Sequence, residues 1–135
     1  HYNVFISMKK MSEGDPGRAA AAALTFHHTK NVFVFDDDID VFNPTDILWA
    51  IATRVQPHKQ ISILQPLFRG NFLDPSLLDE IKTSGMIVDA TKPLDRPFSP
   101  VSKCPDEAMA RIKLEEYVPG EVLQHIPMDR TTYWA

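Results

Sequence analysis

Cysteine is almost missing from this chain. Cys104 is the single thiol in 135 residues, so no internal disulfide can form, and cytoplasm is the expected compartment. Long apolar runs are missing too: none approaches the roughly 20 residues a membrane helix needs, and no basic stretch followed by an apolar one opens the sequence as in a signal peptide. There is no excess of positive charge. A net charge of -4 gives no electrostatic footing on a phosphate backbone, so neither nucleic acid nor membrane is an expected partner. Asn43-Pro44-Thr45 is no glycosylation acceptor, because proline holds the excluded middle position. No Ser/His/Asp or Cys/His pair can be picked out by spacing, and no internal repeat is visible.

What the chain does have is acid concentrated in one place. Asp36-Asp37-Asp38-Ile39-Asp40 follows directly on the apolar run Val32-Phe33-Val34-Phe35 and precedes Asn43-Pro44-Thr45-Asp46. Four carboxylates so close repel one another and are costly to bury, so helix dipoles, basic partners or a metal must hold them. As a divalent-cation site the cluster has hard oxygen ligands, but no His or Glu completes a recognisable spacing, and Asp46 is better explained by helix capping. As a phosphoryl acceptor it sits suitably at a strand's carboxyl end, yet the five-strand pattern of that class is absent. As a structural turn it would accept hydrogen bonds from backbone amides and pair with Arg54, and this arrangement is preferred because a satisfied acidic turn costs least.

The length suits one domain with a true core. A strand is expected at about 2 to 8 and a helix at about 16 to 26, started by Asp15 as N-cap and Pro16. The alanine block from Ala19 to Ala23 lets that helix lie close against a sheet. Val32 to Phe35 reads as a strand buried on both faces. A second helix starts with Asn43, Pro44 and Asp46 and extends to about Arg54 or Val55, before Pro57. Ile47, Leu48, Ile51 and Val55 would form its apolar face, with Trp49 and Ala52 turned toward a second surface. Strands fit Ile61 to Leu64 and Met86 to Asp89, with an irregular stretch from Gln65 to Asp79 between them. The order β-α-β-α-β-β predicts an α/β fold, three-layer and sandwich-like, with a mostly parallel or mixed sheet. Residues 1–92 would form this domain. Residues 93–135 would form an extended proline-rich tail, with short helices near Asp106 to Ile112 and Pro119 to Gln124, lying on the domain or on a neighbouring subunit.

His27 and His28 would close the first helix, where an imidazolium suits the dipole. The connection from Pro66 to Pro75 is apolar for a loop, so Phe68, Phe72 and Leu73 either fold back as core or line a pocket. Because the sequence opens on His1 and passes straight into a strand, a piece of a longer polypeptide is expected.

Several motifs occur in order: Ile6-Ser7-Met8-Lys9-Lys10, Val34 to Phe42, Leu48 to Arg54 with Pro57, Leu73-Asp74-Pro75-Ser76, and Val88 to Pro93. Together they resemble the C-terminal domain of the UbiD family, the prenylated-flavin-dependent decarboxylases, over most of residues 4–93. The resemblance implies a three-part enzyme that reversibly removes a carboxyl group from aromatic or α,β-unsaturated acids, using prenylated FMN with manganese and potassium. The family's catalytic Glu-Arg-Glu set and metal ligands belong to preceding domains, so no catalytic or metal-binding residue is expected here and the chain alone should be inactive. Its implied place is the lid-like third domain beside the cofactor cleft, partnered by its own flavin-binding domains and a small acid, in a homo-oligomer. Asn71, Phe72 and Leu73 match the segment that packs over the substrate ring in ferulate-type members, and His27 and His28 match a segment near the cofactor. Where those members carry a lysine in that stretch, this sequence has Leu24. Asp36, Asp37, Asp38, Asp40, Trp49 and Arg54 are the motif residues with structural roles. The competing expectations are an oligomerisation or interaction module built on the Trp49 face and the tail, and a divalent-cation-binding α/β domain centred on Asp36 to Asp40.

Overall fold

The computed structural model describes residues 2–69, 73–77, 82–100, 102 and 104–124. Four strands, β1 (Asn3–Met8), β2 (Asn31–Asp36), β3 (Ile61–Arg69) and β4 (Lys82–Ala90), form one sheet in the order β1-β2-β4-β3. β1, β2 and β4 run parallel, and β3 returns antiparallel along β4. Among the described residues three helices lie between them: α1 (Asp15–Leu24) after β1, then α2 (Pro44–Arg54) and the single turn α3 (Pro57–Gln60) after β2.

Alternation along β2 builds the three layers. Val32 and Val34 pack with Ala20 and Leu24 of α1 on one face. Phe35, with Phe33 beside it, packs with Ala50 of α2, Val55, Val88 and Ala90 on the other. Both faces of the strand are therefore closed by helices, as its unbroken apolar run requires. In α1, Pro16, Ala20 and Leu24 are the buried positions, one helical turn apart, and the small alanine side chains let the helix approach the sheet.

The helix boundaries are set by specific hydrogen bonds. Asn43 caps α2, its side chain accepting from the Thr45 amide at 3.0 Å, and Pro44 follows at the first helical position. Asp15 does not cap α1 as expected. Gly14 occupies that position, and the Asp15 carboxylate instead accepts from the amides of Met11 and Ser12 at 2.9 and 2.8 Å. α1 ends at Leu24, and Thr25, whose hydroxyl donates to the Ala22 carbonyl at 2.7 Å, closes it.

Two departures from expectation concern α2 and β3. Trp49 packs against the core with Ile47 and Ile51, whereas Leu48 is 67% exposed, so the outward apolar residue of α2 is Leu48 and not Trp49. β3 continues through Gln65–Arg69, a stretch expected to be irregular, with a shift in register between Leu64 and Phe68.

The chain divides into two compact units, His1–Phe98 and Ser99–Ala135. Within the second, α4 (Asp106–Arg111), a 3-10 turn (Leu114–Glu116) and α5 (Gly120–Leu123) follow one another. No helix among the described residues is long and apolar enough to cross a membrane.

Candidate functional site

The carboxyl ends of β1, β2 and β4 meet in a dense polar lattice. The four acids of the turn after β2 separate by task. Asp36, the last residue of β2, is buried, and its Oδ2 accepts from Arg54 Nη1 at 3.0 Å and from the Lys92 amide at 2.7 Å. Asp38 takes the rest of the guanidinium, with Nη1 and Nη2 each at 3.0 Å, and also accepts from Lys92 Nζ at 2.8 Å. Asp40 accepts from the Phe42 amide at 2.9 Å and so shapes the entry to α2. Asp37 is exposed.

Arg54 is the centre of this lattice. Its side chain is 1% exposed, and the guanidinium lies 5.3 Å from the centroid of the Trp49 ring and 5.9 Å from that of Phe98. A planar cation between aromatic faces and two carboxylates is suited to arginine and not to lysine. Burial pushes Asp36 above the usual carboxylate range, against the pull of the Lys92 amide and Arg54. Burial also opposes ionisation of Asp38, but the hydrogen bonds from Arg54 and Lys92 outweigh it and hold its carboxyl at about 2. Lys10, just past β1, extends the lattice: its buried ammonium donates to the Thr91 hydroxyl at 3.2 Å and the Lys92 carbonyl at 2.9 Å, and pairs with Glu13. Glu13 in turn accepts from the Leu94 amide at 2.6 Å. The segment from Thr91 to Leu94 is thereby fastened across the ends of β1 and β2.

These contacts bear on a cation site at Asp36 to Asp40. Oδ2 of Asp36 and both oxygens of Asp38 already serve protein cations, and among the described residues no group of three or more His, Cys, Asp or Glu side chains is arranged to hold a metal ion.

The amino ends of the strands, roughly 20 Å away along β2, carry the other residues singled out in the sequence. His27 and His28 lie in the turn between α1 and β2 and not in the last turn of α1, which holds no basic residue. A helix-closing imidazolium is therefore not their role. Their ring centroids are 3.9 Å apart, with Phe26 beside both. Burial and the neighbouring His27 push His28 below its ordinary pKa. Lys30 follows. Its ammonium donates to Asp74 Oδ2 at 2.8 Å and Ser76 Oγ at 2.6 Å, which ties the segment 73–77 to the start of β2. Asp74 Oδ1 accepts from the Ser76 amide and hydroxyl at 3.0 and 2.7 Å. Lys30 and Ser76 together hold the Asp74 carboxyl at about 2. Leu77 is buried, while Leu73 is 66% exposed. Asn71 and Phe72 lie outside the described residues.

The structure thus brings Asp36, Asp38, Trp49 and Arg54 together at one edge, and His27, His28 and Leu73 to the opposite edge. Sequence reasoning quoted Lys10, Lys92, Asp74 and Ser76 within motifs but gave them no role. A signal was available in the lysines that stand immediately past apolar strands, near acids they can reach.

The chain is an α/β domain on a four-stranded mixed sheet, with Lys10, Lys30, Arg54 and Lys92 paired to acids of the same chain. More narrowly, the chain belongs to the UbiD family: the domain described as 3-octaprenyl-4-hydroxybenzoate carboxy-lyase C-terminal domain matches residues 1–90. It is 47% identical over 91 residues to the anhydromevalonate phosphate decarboxylase of Aeropyrum pernix, covering 67% of this chain and 20% of that protein. Among solved structures it resembles the UbiD-class enzyme HmfF of Pelotomaculum thermopropionicum, solved in complex with FMN, with TM-score 0.70 and 36% identity over 87% of this chain and 26% of that one. It also resembles the vanillic acid decarboxylase of Sedimentibacter hydroxybenzoicus in its closed form, with TM-score 0.68 and 30% identity over 85% of this chain and 26% of that one. The chain spans about a fifth of the length of the curated relatives it matches.

Proposed function

We propose that this chain is the C-terminal part of a UbiD-like carboxy-lyase that reversibly and non-oxidatively decarboxylates an aromatic or α,β-unsaturated acid with prenylated FMN. The domain covers the cleft and supplies substrate-pocket residues. One observation carries this role. Asp36, Asp38, Lys10, Lys30, Lys92 and Arg54 are all paired within the chain, while Leu73 at one edge and Met11 and Phe42 at the other stand exposed as apolar surface that a substrate can meet. Such surface excludes water and fits the acid, which favours loss of carboxylate charge as carbon dioxide, while the chemistry stays with the cofactor.

The pocket residues are Asn71, Phe72 and Leu73 at the amino edge, with His27 and His28 nearest the cofactor. At that edge the Lys30 ammonium is engaged by Asp74 and Ser76. Prenylated FMN, manganese and potassium would be held by the preceding domains, and no reaction step is assigned to this chain's side chains. A second arrangement has its own support. Met11 and Phe42 are 75% and 92% exposed just beyond the carboxyl ends of β1 and β2, the edge at which α/β sheets ordinarily receive ligands.

Substituting Leu73→Trp in the full-length enzyme tests the first arrangement. It should depress turnover of bulky acids relative to small ones, and unchanged relative rates would count against it.

A further inference from the structure

The segment bearing Leu73 needs something to fix its height over the sheet, and the mount lies on Lys30. Both backbone groups of Lys30 are spoken for: its amide donates to the Tyr2 carbonyl at 2.8 Å, and its carbonyl accepts from the Met86 amide at 2.9 Å. The residue is therefore clamped between the elements flanking β2, and its ammonium projects from a rigid base. That ammonium reaches Asp74 and Ser76, 44 and 46 positions later in the chain. The three polar groups close a ring, because the Ser76 hydroxyl donates to Asp74 while accepting from Lys30. Below it, the Leu77 amide donates to the Asp74 carbonyl at 3.1 Å, so the turn is rigid in itself. A charge-assisted bond from a fixed donor to a stiff turn transmits position well.

We propose that Lys30 is a positioning residue for substrate discrimination: through Asp74 and Ser76 it fixes where Leu73 stands, and so sets the size of acid the enzyme accepts. The inference rests on the reading that Leu73 lines the cleft. Lys30 touches neither substrate nor reacting atoms. It acts through the turn.

The test uses the full-length enzyme and a small and a bulky acid of the class it turns over. In Lys30→Met, KM for the favoured acid should rise about fivefold to tenfold with kcat changed less, and the preference between the two acids should shrink. Asp74→Asn keeps the shape and should reproduce the effect, and the double variant should be no worse than either single one. Lys30→Arg, which retains the cation, should recover most of the discrimination. If Lys30→Met fails to fold, Asp74→Asn carries the test alone. Unchanged discrimination in these variants, with Leu73→Trp still altering it, overturns the positioning role and leaves the pocket standing. Unchanged discrimination in Leu73→Trp overturns the pocket, and the role of Lys30 in specificity falls with it.

Discussion

The two ends of the sheet solve the same problem, holding loops to strand ends, in different ways. At the carboxyl edge a buried arginine, two lysines and three acids interlock across β1, β2, α2 and the exit of β4. At the amino edge a single half-buried lysine reaches one acid and one serine. Removing Arg54 from the first leaves Asp36 buried without a cation, whereas Asp74 in the second, on losing Lys30, keeps the Ser76 amide and hydroxyl. Interlocked charge is concentrated where the acids are dense, and a single charge-assisted mount serves the apolar loop.

Removing the arginine should produce the largest effect. Arg54→Met leaves Asp36 buried without its cation and should cost about 3–5 kcal/mol in urea unfolding, the usual scale for breaking a buried pair. Arg54→Lys should recover only part, since lysine cannot span Asp36 and Asp38 together. Lys30→Met should cost a small fraction of this, and a cost as large would erase the contrast between the edges. Salt sharpens it further. Raising ionic strength toward 1 M should weaken the partly exposed Lys30–Asp74 and Lys92–Asp38 pairs and leave the buried Arg54–Asp36 pair nearly unchanged, measured as the salt dependence of each variant's stability.

Acid should act on both edges. Asp38 and Asp74 have folded-state pKa values of about 2 against an ordinary 3.8. The stabilisation they give is therefore complete above pH 4 or so and is lost as pH falls toward 2. Asp36 runs the other way. Its raised pKa means that ionisation is disfavoured in the fold, so protonation relieves a cost as pH falls. Acid titration of stability should show a shallower fall between about pH 4 and 2 in both Asp38→Asn and Asp74→Asn. A fall as steep as in the parent would refute the pairings. The smallest effect is expected away from both edges: Leu48→Ser, on the exposed side of α2, should change stability by no more than about 0.5 kcal/mol.

Much of the fold was legible because local signals agreed. The run Val32 to Phe35 fixed a strand covered on both faces, and Asn43, Pro44 and Asp46 marked the start of α2. The acidic turn was legible as something needing cations, and Arg54 as the nearest candidate. The strand expected over Ile61 to Leu64 runs on to Arg69, through Pro66. That proline is tolerated because β3 is an edge strand with a register shift between Leu64 and Phe68. Asp15 was misplaced by one residue because its carboxylate bonds backward to Met11 and Ser12 as readily as forward. Leu48 and Trp49 were exchanged because spacing alone cannot tell that an aromatic ring will seat a buried guanidinium. The opposition of the two edges was not legible at all. It depends on strand direction and on which loops return to which end, and contacts such as Lys30 to Asp74 span too much chain for any local pattern to announce them.

The most direct measurement sets a small and a bulky acid in competition for the full-length enzyme and for its Leu73→Trp and Phe42→Trp variants. If the amino edge closes the cleft, the Leu73→Trp product ratio moves strongly toward the small acid and the Phe42→Trp ratio stays near that of the parent. A ratio unchanged by Leu73→Trp contradicts the account.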